Sequence, residues 1–154
     1  MNISTNAVSY LWTFGDGSGS TAATPSHLYA NQGLSDVVLT PSLVATSAYG
    51  CADTASANIL VHPQPIAQFT PSTLAGCQPL PVQFTDLTIG AVALDWQFGD
   101  GTAQAGAPGD VTHSYANTGA TPLFQDVTMV ATSAFGCTDT ANAQIQIYPN
   151  VTAD

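Results

Sequence analysis

The same heptapeptide pattern occurs twice in this chain, and this repetition constrains the fold more than any other feature of the sequence. Leu11–Gly17 reads LWTFGDG, and Asp95–Gly101 reads DWQFGDG. Two further segments recur in the same order, His27–Tyr29 as His113–Tyr115 and Val44–Cys51 as Val130–Cys137. Recurrence of several segments in one order indicates a structural unit of about 86 residues that is used in tandem.

The repeats predict how the chain is divided into domains. We expect a first unit at residues 1–62, a second unit at residues 63–148, and the start of a further repeat or a tail at residues 149–154. Because residues 1–3 align with residues 85–87 of the second copy, we expect the first copy to be truncated at its N-terminus. The linker at residues 62–65 contains two prolines, which favour a stiff and extended connection.

Alternating apolar residues predict short β-strands. Leu94, Trp96 and Phe98 would face one side of a strand, with polar residues between them on the other side. The same alternation predicts that Val82, Phe84 and Leu87 face inward, and it recurs at Ile145 and Ile147. The strand that contains Val127, Met129 and Ala131 is expected to be apolar on both sides. Gly, Pro, Asp and Asn bound these runs, and no amphipathic stretch of helical period is longer than one turn. This pattern predicts an all-β fold of two packed sheets.

The Gly-Asp-Gly tripeptide that follows each Trp-x-Phe strand predicts a sharp turn. A Trp and a Phe two positions apart fill one face of a strand and supply much of a small core. The glycines allow positive φ angles, and the Asp between them accepts hydrogen bonds from nearby backbone amides.

The Trp-x-Phe-Gly-Asp-Gly motif, the His-x-Tyr after it and the following Gly33 or Gly119 resemble the polycystic-kidney-disease (PKD) domain family. The resemblance implies tandem Ig-like β-sandwiches of the PKD type, the first one truncated, with an extracellular or cell-surface location and no enzymatic activity. It gives a structural role to eight motif residues, which are Trp12, Phe14, Trp96, Phe98, His27, Tyr29, His113 and Tyr115. The Gly-Cys-x-Asp-Thr endings are similar to those of PKD repeats in Bacteroidetes surface and adhesin proteins.

Three cysteines lie at positions related to the repeat. Cys51 and Cys137 occupy the same place in the two copies, and Cys77 lies near the start of the second copy. Disulfides are typical of extracellular domains, so the resemblance implies a Cys77–Cys137 disulfide that leaves Cys51 unpaired. The alternative is three buried free thiols.

The resemblance implies two further kinds of site. Asp16 and Asp100 in the Gly-Asp-Gly turns are candidate Ca²⁺ ligands, because some PKD domains bind calcium; the alternative is a turn-forming Asp without a metal. Thr54 and Thr140 follow Asp in Asp-Thr-Ala and match an O-glycosylation signal used in Bacteroidetes. The alternative for these two residues is a turn at the entry to a strand.

The charge composition excludes several classes of partner. The chain contains no Lys and no Arg, all ten acidic residues are Asp, and the net charge is −10. Because no side chain can neutralise phosphates, we exclude nucleic acid as a partner, and anionic membrane surfaces for the same reason. No apolar run reaches the ~20 residues of a membrane-spanning helix, so we expect no membrane insertion. The histidines occur in no catalytic or metal-binding pattern, and we expect no cofactor other than Ca²⁺.

These observations favour a non-catalytic extracellular repeat module with a structural or adhesive role, as a stalk, spacer or filament subunit of a larger surface protein. Its expected partners are adjacent repeats or copies of the chain in a polymer, then surface polysaccharide or protein. The alternative is a carbohydrate- or protein-binding accessory module of a secreted hydrolase. Candidate platform residues for that alternative are Tyr10, Tyr49, Phe124, Phe135 and Tyr148.

Overall fold

The computed structural model describes residues 2–150, and the chain divides into two compact units, Met1–Pro63 (unit 1) and Gln64–Asp154 (unit 2). Every regular element in the described range is a β-strand, which confirms the predicted all-β fold. No helix long and apolar enough to span a membrane occurs in residues 2–150. Of the further repeat or tail predicted at residues 149–154, residues 151–154 lie outside the described residues.

The strands are short in unit 1 and longer in unit 2. The described residues of unit 1 form β1 (Ala7–Thr13), β2 (Gly19–Ser20), β3 (Val37–Leu39), β4 (Ser42–Ser47), β5 (Ala52–Ser56) and β6 (Ile59–Val61). Those of unit 2 form β7 (Phe69–Pro71), β8 (Ala75–Cys77), β9 (Leu80–Asp86), β10 (Ala93–Gln97), β11 (Ala103–Gly106), β12 (Val111–Tyr115), β13 (Leu123–Thr132) and β14 (Thr138–Tyr148).

Unit 2 is a sandwich of two sheets. The larger sheet has the order β11-β10-β13-β14-β8, and the smaller sheet has the order β12-β9-β7. Neighbouring strands are antiparallel, except that β8 runs parallel to the last residues of β14. The register places Trp96 opposite Met129 in the larger sheet and His113 opposite Val82 in the smaller one. The side chain of every second residue in each sheet therefore points into the interior between the two sheets.

The interior of unit 2 is filled by the residues that alternate along its strands. The core contains Leu80, Val82, Phe84, Leu94, Trp96, Phe98, Tyr115, Val127, Met129, Ala131, Ile145 and Ile147. Trp96 is 2% exposed, and its ring centroid lies 4.9 Å from that of Phe69 and 5.6 Å from that of Phe84. The faces predicted from alternation in β9, β10 and β14 are confirmed, with one exception.

The exception is Leu87, which was predicted to face inward and is 44% exposed. Strand β9 ends at Asp86, so the alternation stops one residue before Leu87. The Asp86 carboxylate accepts a hydrogen bond from the backbone N–H of Thr88 at 2.9 Å, which turns the chain at this point. The inward position of Leu87 was therefore a wrong prediction, because a side-chain hydrogen bond ends the strand there.

Unit 1 has a counterpart of the larger sheet but not of the smaller one. Its order β2-β1-β4-β5 corresponds to β11-β10-β13-β14, and β3 pairs with β6 in a separate two-stranded sheet. Among residues 2–63 no strand corresponds to β7, β8 or β9, and residues 25–29, the counterparts of β12, form no strand. As a result Trp12 is only half-buried, whereas its counterpart Trp96 is fully buried.

Candidate functional site

A turn in unit 2 brings together an aspartate, a histidine and two aromatic rings, which we call the Asp-His cluster. Asp100 Oδ1 accepts hydrogen bonds from the backbone N–H of Thr102 at 3.0 Å and from its hydroxyl at 2.5 Å. Asp100 Oδ2 lies 2.7 Å from Nε2 of His113 on β12. The His113 ring stacks on Phe98 at 4.2 Å and meets Tyr115 edge-on at 4.6 Å. The cluster thus links the β10–β11 turn of the larger sheet to the smaller sheet.

Unit 1 contains the same cluster with nearly the same geometry. Asp16 Oδ1 accepts hydrogen bonds from the backbone N–H of Ser18 at 3.0 Å and from its hydroxyl at 2.6 Å. Asp16 Oδ2 lies 2.6 Å from His27 Nε2. The His27 ring stacks on Phe14 at 4.1 Å and meets Tyr29 edge-on at 4.7 Å. The cluster forms even where residues 25–29 have no strand partner, so it depends on local contacts.

Glycine is required at the position before each aspartate of the cluster. Gly99 has φ +87°, and a Cβ atom there would lie 2.8 Å from both the backbone N and the backbone O of Asp126 on β13. Gly15 has φ +83°, and its Cβ would lie 2.9 Å from the backbone N of Thr40. The turn therefore packs directly on a neighbouring backbone, at a distance that only glycine permits.

Hydrogen bonding lowers the pKa of both aspartates. For Asp16, the bonds from the Ser18 hydroxyl and backbone and then from His27 hold the pKa well below its ordinary value. For Asp100, partial burial by itself would raise the pKa, but the bonds from Thr102 and His113 outweigh it and lower the pKa. Both carboxylates are therefore held in the charged form that accepts these bonds.

The cluster has no carboxylate oxygen left without an internal partner. One oxygen of each Asp bonds within the turn and the other bonds to histidine. In the part of the chain that the structure describes, no group of three or more His, Cys or Asp side chains is placed to hold a metal ion. This arrangement favours the turn-forming role of Asp16 and Asp100 over Ca²⁺ ligation, which stays a prediction.

The Asp-His pairing is a feature that the sequence reasoning missed. The sequence pattern indicated Asp16 and Asp100 as candidate metal ligands and His27 and His113 as separate structural residues. The sequence did contain a signal for this pairing, because the Asp and the His both recur in the two copies, each with a hydroxyl residue two positions after the Asp. Residues that recur together in a repeat are candidates for mutual contact.

The predicted Cys77–Cys137 disulfide is wrong. Cys77 on β8 lies in register with Tyr148 at the end of β14, whereas Cys137 precedes Thr138 at its beginning. At ~3.3 Å per residue the length of β14 separates the two cysteines by about 35 Å, and a disulfide requires Cα atoms within about 7 Å. Cys51, Cys77 and Cys137 are all free thiols. The alternative of three buried free thiols is also wrong, because Cys51 and Cys77 are exposed and Cys137 is half-buried.

The two candidate glycosylation residues lie on exposed strand positions. Thr54 is on β5 and Thr140 is on β14, and both side chains are exposed. The preceding aspartates both accept backbone hydrogen bonds, Asp53 from the adjacent Thr54 and Asp139 from Ala67, which is distant in sequence. Their exposure is compatible with a glycan, and the modification stays a prediction.

The inner side of the unit 1 sheet borders a groove lined by both apolar and polar residues, which we call the open face. One cavity of about 370 Å³ is lined by residues that include Ile3, Leu43, Ala45 and Ala55. A second cavity of about 240 Å³ shares Ile3, Leu43 and Ala55 with it and extends to Trp12. The two cavities are therefore one continuous groove along the side of the sheet that is covered by β9 and β7 in unit 2.

The fold and the paired clusters define a class of protein, an Ig-like β-sandwich in which a Gly-Asp-Gly turn is tied to a His-x-Tyr segment. A family model described as PKD domain matches residues 2–61, and a second model with the same description matches residues 66–145. The chain belongs to the PKD domain family, which confirms the resemblance to two tandem PKD domains. PKD domains are commonly extracellular modules of surface proteins and proteases and are typically non-catalytic.

Several solved structures are similar to this chain at low identity. The PKD1 domain of the Vibrio cholerae metalloprotease PrtV is 24% identical, with 55% of this chain and 98% of that chain covered and a TM-score of 0.45. The PKD1 domain of Vibrio anguillarum Epp is 22% identical, with 56% and 96% covered and a TM-score of 0.44. The fibronectin(III)-like modules of Clostridium thermocellum CbhA are 12% identical, with 97% and 82% covered and a TM-score of 0.42. No curated protein matches this chain.

Proposed function

We propose that this chain is a non-catalytic extracellular repeat module with a structural or adhesive role in a larger surface protein, as a stalk, spacer or filament subunit. Its immediate partners are adjacent repeats or copies of itself. The observation that carries the proposal is the recurrence of the Asp-His cluster with the same contacts in both units. A contact preserved in each copy serves the module rather than one specialised site.

The two buried polar residues of unit 2, Asn117 and Ser133, support the same proposal, because their side chains also hold the fold together. The Asn117 amide donates hydrogen bonds to the carbonyls of Thr121 and Ile147, both at 2.8 Å. The Ser133 hydroxyl accepts bonds from the backbone N–H groups of Phe135 and Cys137. Catalysis requires polar groups directed at a substrate, whereas these groups are directed at the protein's own backbone.

Protease treatment of intact cells that express the protein tests the extracellular part of the proposal. Because the chain contains no Lys and no Arg, trypsin has no cleavage site in it, whereas proteinase K cleaves without that requirement. We expect an antibody against the chain to label intact cells, with the signal lost after proteinase K; loss after trypsin as well would report cleavage of the larger protein outside this chain. Labelling that requires cell lysis would contradict the proposal.

A ligand-binding accessory module is the second candidate, and the exposure of Tyr49 favours it. Tyr49 is 95% exposed at the β4–β5 turn, and aromatic rings in such positions stack on sugars and peptides. Retention of the chain on insoluble polysaccharides tests this function. Specific retention that is lost in the variant Tyr49→Ala would favour the accessory module, and elution with the unbound fraction favours the structural role.

A further inference from the structure

We propose that the outer edge of β11 in unit 2 is a docking site for an extended, basic segment of a partner polypeptide. The segment would add a strand to the larger sheet beside β11, and its Lys or Arg side chains would reach Asp95 on β10. Strand addition of this kind combines backbone hydrogen bonds with recognition of alternate side chains. The inference goes beyond the proposed function, because this chain contains no Lys or Arg and cannot itself supply such a segment.

Strand β11 has a free backbone edge. It lies at the end of the larger sheet and pairs only with β10 among the described strands. The Phe98 N–H donates to the Thr102 carbonyl at 3.1 Å, and this bond sets the alternation of the pairs that follow. In an antiparallel pair every second residue directs its N–H and C=O away from the partner strand. The backbone groups of Ala103 and Ala105 are therefore directed outward, where another strand can pair with them.

The sequence of β11 contains none of the usual protections of an edge strand. Proteins commonly guard such edges with charged residues, above all Lys, with Pro or with β-bulges. The four residues of β11 read Ala-Gln-Ala-Gly, all four are exposed, and their register with β10 is regular. An edge of this kind is a template for pairing with a further strand.

Small side chains on β11 leave an open depression on the outer face of the larger sheet. The depression has a volume of about 530 Å³ and is lined by residues that include Asp95, Gln97, Ala103 and Ala105. A second depression of about 270 Å³ shares Gln97 and Ala103 with it and extends to Asp126. Because the alanine methyl groups are short, a long side chain from an added strand can lie across them toward Asp95.

Asp95 favours a basic partner. It lies opposite Ala105, and its side chain is exposed and makes no hydrogen bond or ion pair with the described residues. Neighbouring strands are ~4.8 Å apart, so a strand added beside β11 would lie about 10 Å from β10. The long side chains of Lys and Arg together with the Asp95 carboxylate span this distance. Asp126 adds a second negative charge, so the charge of this surface is complementary to a basic segment.

The corresponding edge of unit 1 lacks these features. Leu11 stands where unit 2 has Asp95, and Thr13 stands where unit 2 has Gln97. Strand β2 is only Gly19–Ser20, whereas β11 has four residues. The Asp-His cluster thus recurs in both units, but the acidic edge does not recur in the described residues of unit 1. A feature that only one copy carries is a candidate for a specialised site, and unit 1 provides an internal control.

A second copy of the chain is the less favoured occupant of this edge. Pairing of two β11 strands would bring together two chains that each carry a net charge of −10, with no Lys or Arg to offset it. A basic segment instead reduces the net charge of the complex. The same backbone edge therefore favours a basic polypeptide over a copy of this chain.

Synthetic peptides test the proposal on the full chain at about 0.15 M salt, where attraction between distant charges is largely screened. The probe alternates Lys and Thr over about eight residues, an ordinary strand length. A control peptide of the same sequence carries a methyl group on the backbone nitrogen of each lysine, so it keeps the charge but loses the N–H donors that would face β11. A second control replaces each Lys with Glu and reverses the charge.

Titration calorimetry measures the affinity, and hydrogen exchange measures the protection of β11. We expect saturating Lys-Thr peptide to slow amide exchange at Ala103 and Ala105 by about tenfold or more, since a paired strand protects its partner's amides. Neither control peptide should do so. Asp95→Asn should weaken binding about two- to fivefold, the effect of an exposed ion pair. Asp53→Asn removes the same charge from an exposed strand of unit 1 and should leave the affinity unchanged.

Unchanged exchange at Ala103 and Ala105, equal binding of the N-methylated peptide, or unchanged affinity in Asp95→Asn would each overturn the inference. Protection of β11 that increases with the concentration of the chain alone would overturn the choice of partner and identify a second copy as the occupant. Amide exchange at Gly19 and Ser20 should not respond to the peptide, and protection there equal to that of β11 would show binding by charge alone.

Discussion

At the scale of single residues, the Tyr115 hydroxyl is a buried polar group of unit 2 that makes no hydrogen bond with the described residues. Burial, with a further effect of the Asp100 charge, raises the pKa of Tyr115. An unpaired buried hydroxyl costs stability, so we expect Tyr115→Phe to raise the free energy of unfolding by about 1 kcal/mol. Urea denaturation measures this change. Tyr29→Phe is the matched control and should have little effect, because Tyr29 is only half-buried.

The Asp100 carboxylate should make the stability of unit 2 depend on pH. Its pKa is lower in the folded protein than the ordinary value near 4, so the unfolded state binds more protons in acid. The stabilisation is therefore complete above about pH 4 and is lost as the pH falls through the lower folded-state pKa. We expect Asp100→Asn to reduce the difference in Tm between pH 6 and pH 3. An unchanged difference would show that this carboxylate does not contribute.

At the scale of elements, two glycines of one turn provide a matched test of how the β10–β11 turn packs. Gly99 and Gly101 have φ +87° and +88°, but only Gly99 would place a Cβ against the Asp126 backbone. We expect Gly101→Ala to destabilise unit 2 by about 1–2 kcal/mol through the positive φ alone. Gly99→Ala should cost about 1–3 kcal/mol more because of the clash. Equal losses in denaturant unfolding would contradict the close approach of turn and strand.

The exposure of the three cysteines predicts their reactivity. Cys51 and Cys77 are exposed and Cys137 is half-buried. We expect iodoacetamide to alkylate all three in the native chain without prior reduction, with Cys137 the slowest. Non-reducing peptide mapping that recovers Cys77 joined to Cys137 would refute the strand order that places them at opposite ends of β14.

At the scale of the whole molecule, the incomplete burial of the inner side of the unit 1 sheet should make that unit open more readily than unit 2. The segments Val44–Ala48 and Val130–Ala134 have the same sequence, VATSA, so their intrinsic amide exchange rates match. Both lie on a central strand and the turn after it, with Ala131 completely buried and its counterpart Ala45 only half-buried. We expect exchange at least about tenfold faster in Val44–Ala48. Equal rates would show that unit 1 is closed in solution.

The sequence predicted most of the strand faces of unit 2 but few of the contacts between residues that are distant in sequence. Period-two alternation identified the inward faces of β9, β10 and β14, because the pleat itself sets that period. It misplaced Leu87, where a hydrogen bond to Asp86 ends the strand. It also misplaced the Cys77–Cys137 pair, because distance along the chain carries no information about which end of an eleven-residue strand a cysteine reaches.

The sequence by itself determined the repeat, the all-β fold and the aromatic core, because these depend on local alternation and on residues that recur in both copies. Only the tertiary structure decided that Asp100 bonds to His113 and that Cys77 and Cys137 lie far apart. Each of these depends on strand order and register. Those are fixed by packing between segments that are distant in sequence, which no local pattern encodes.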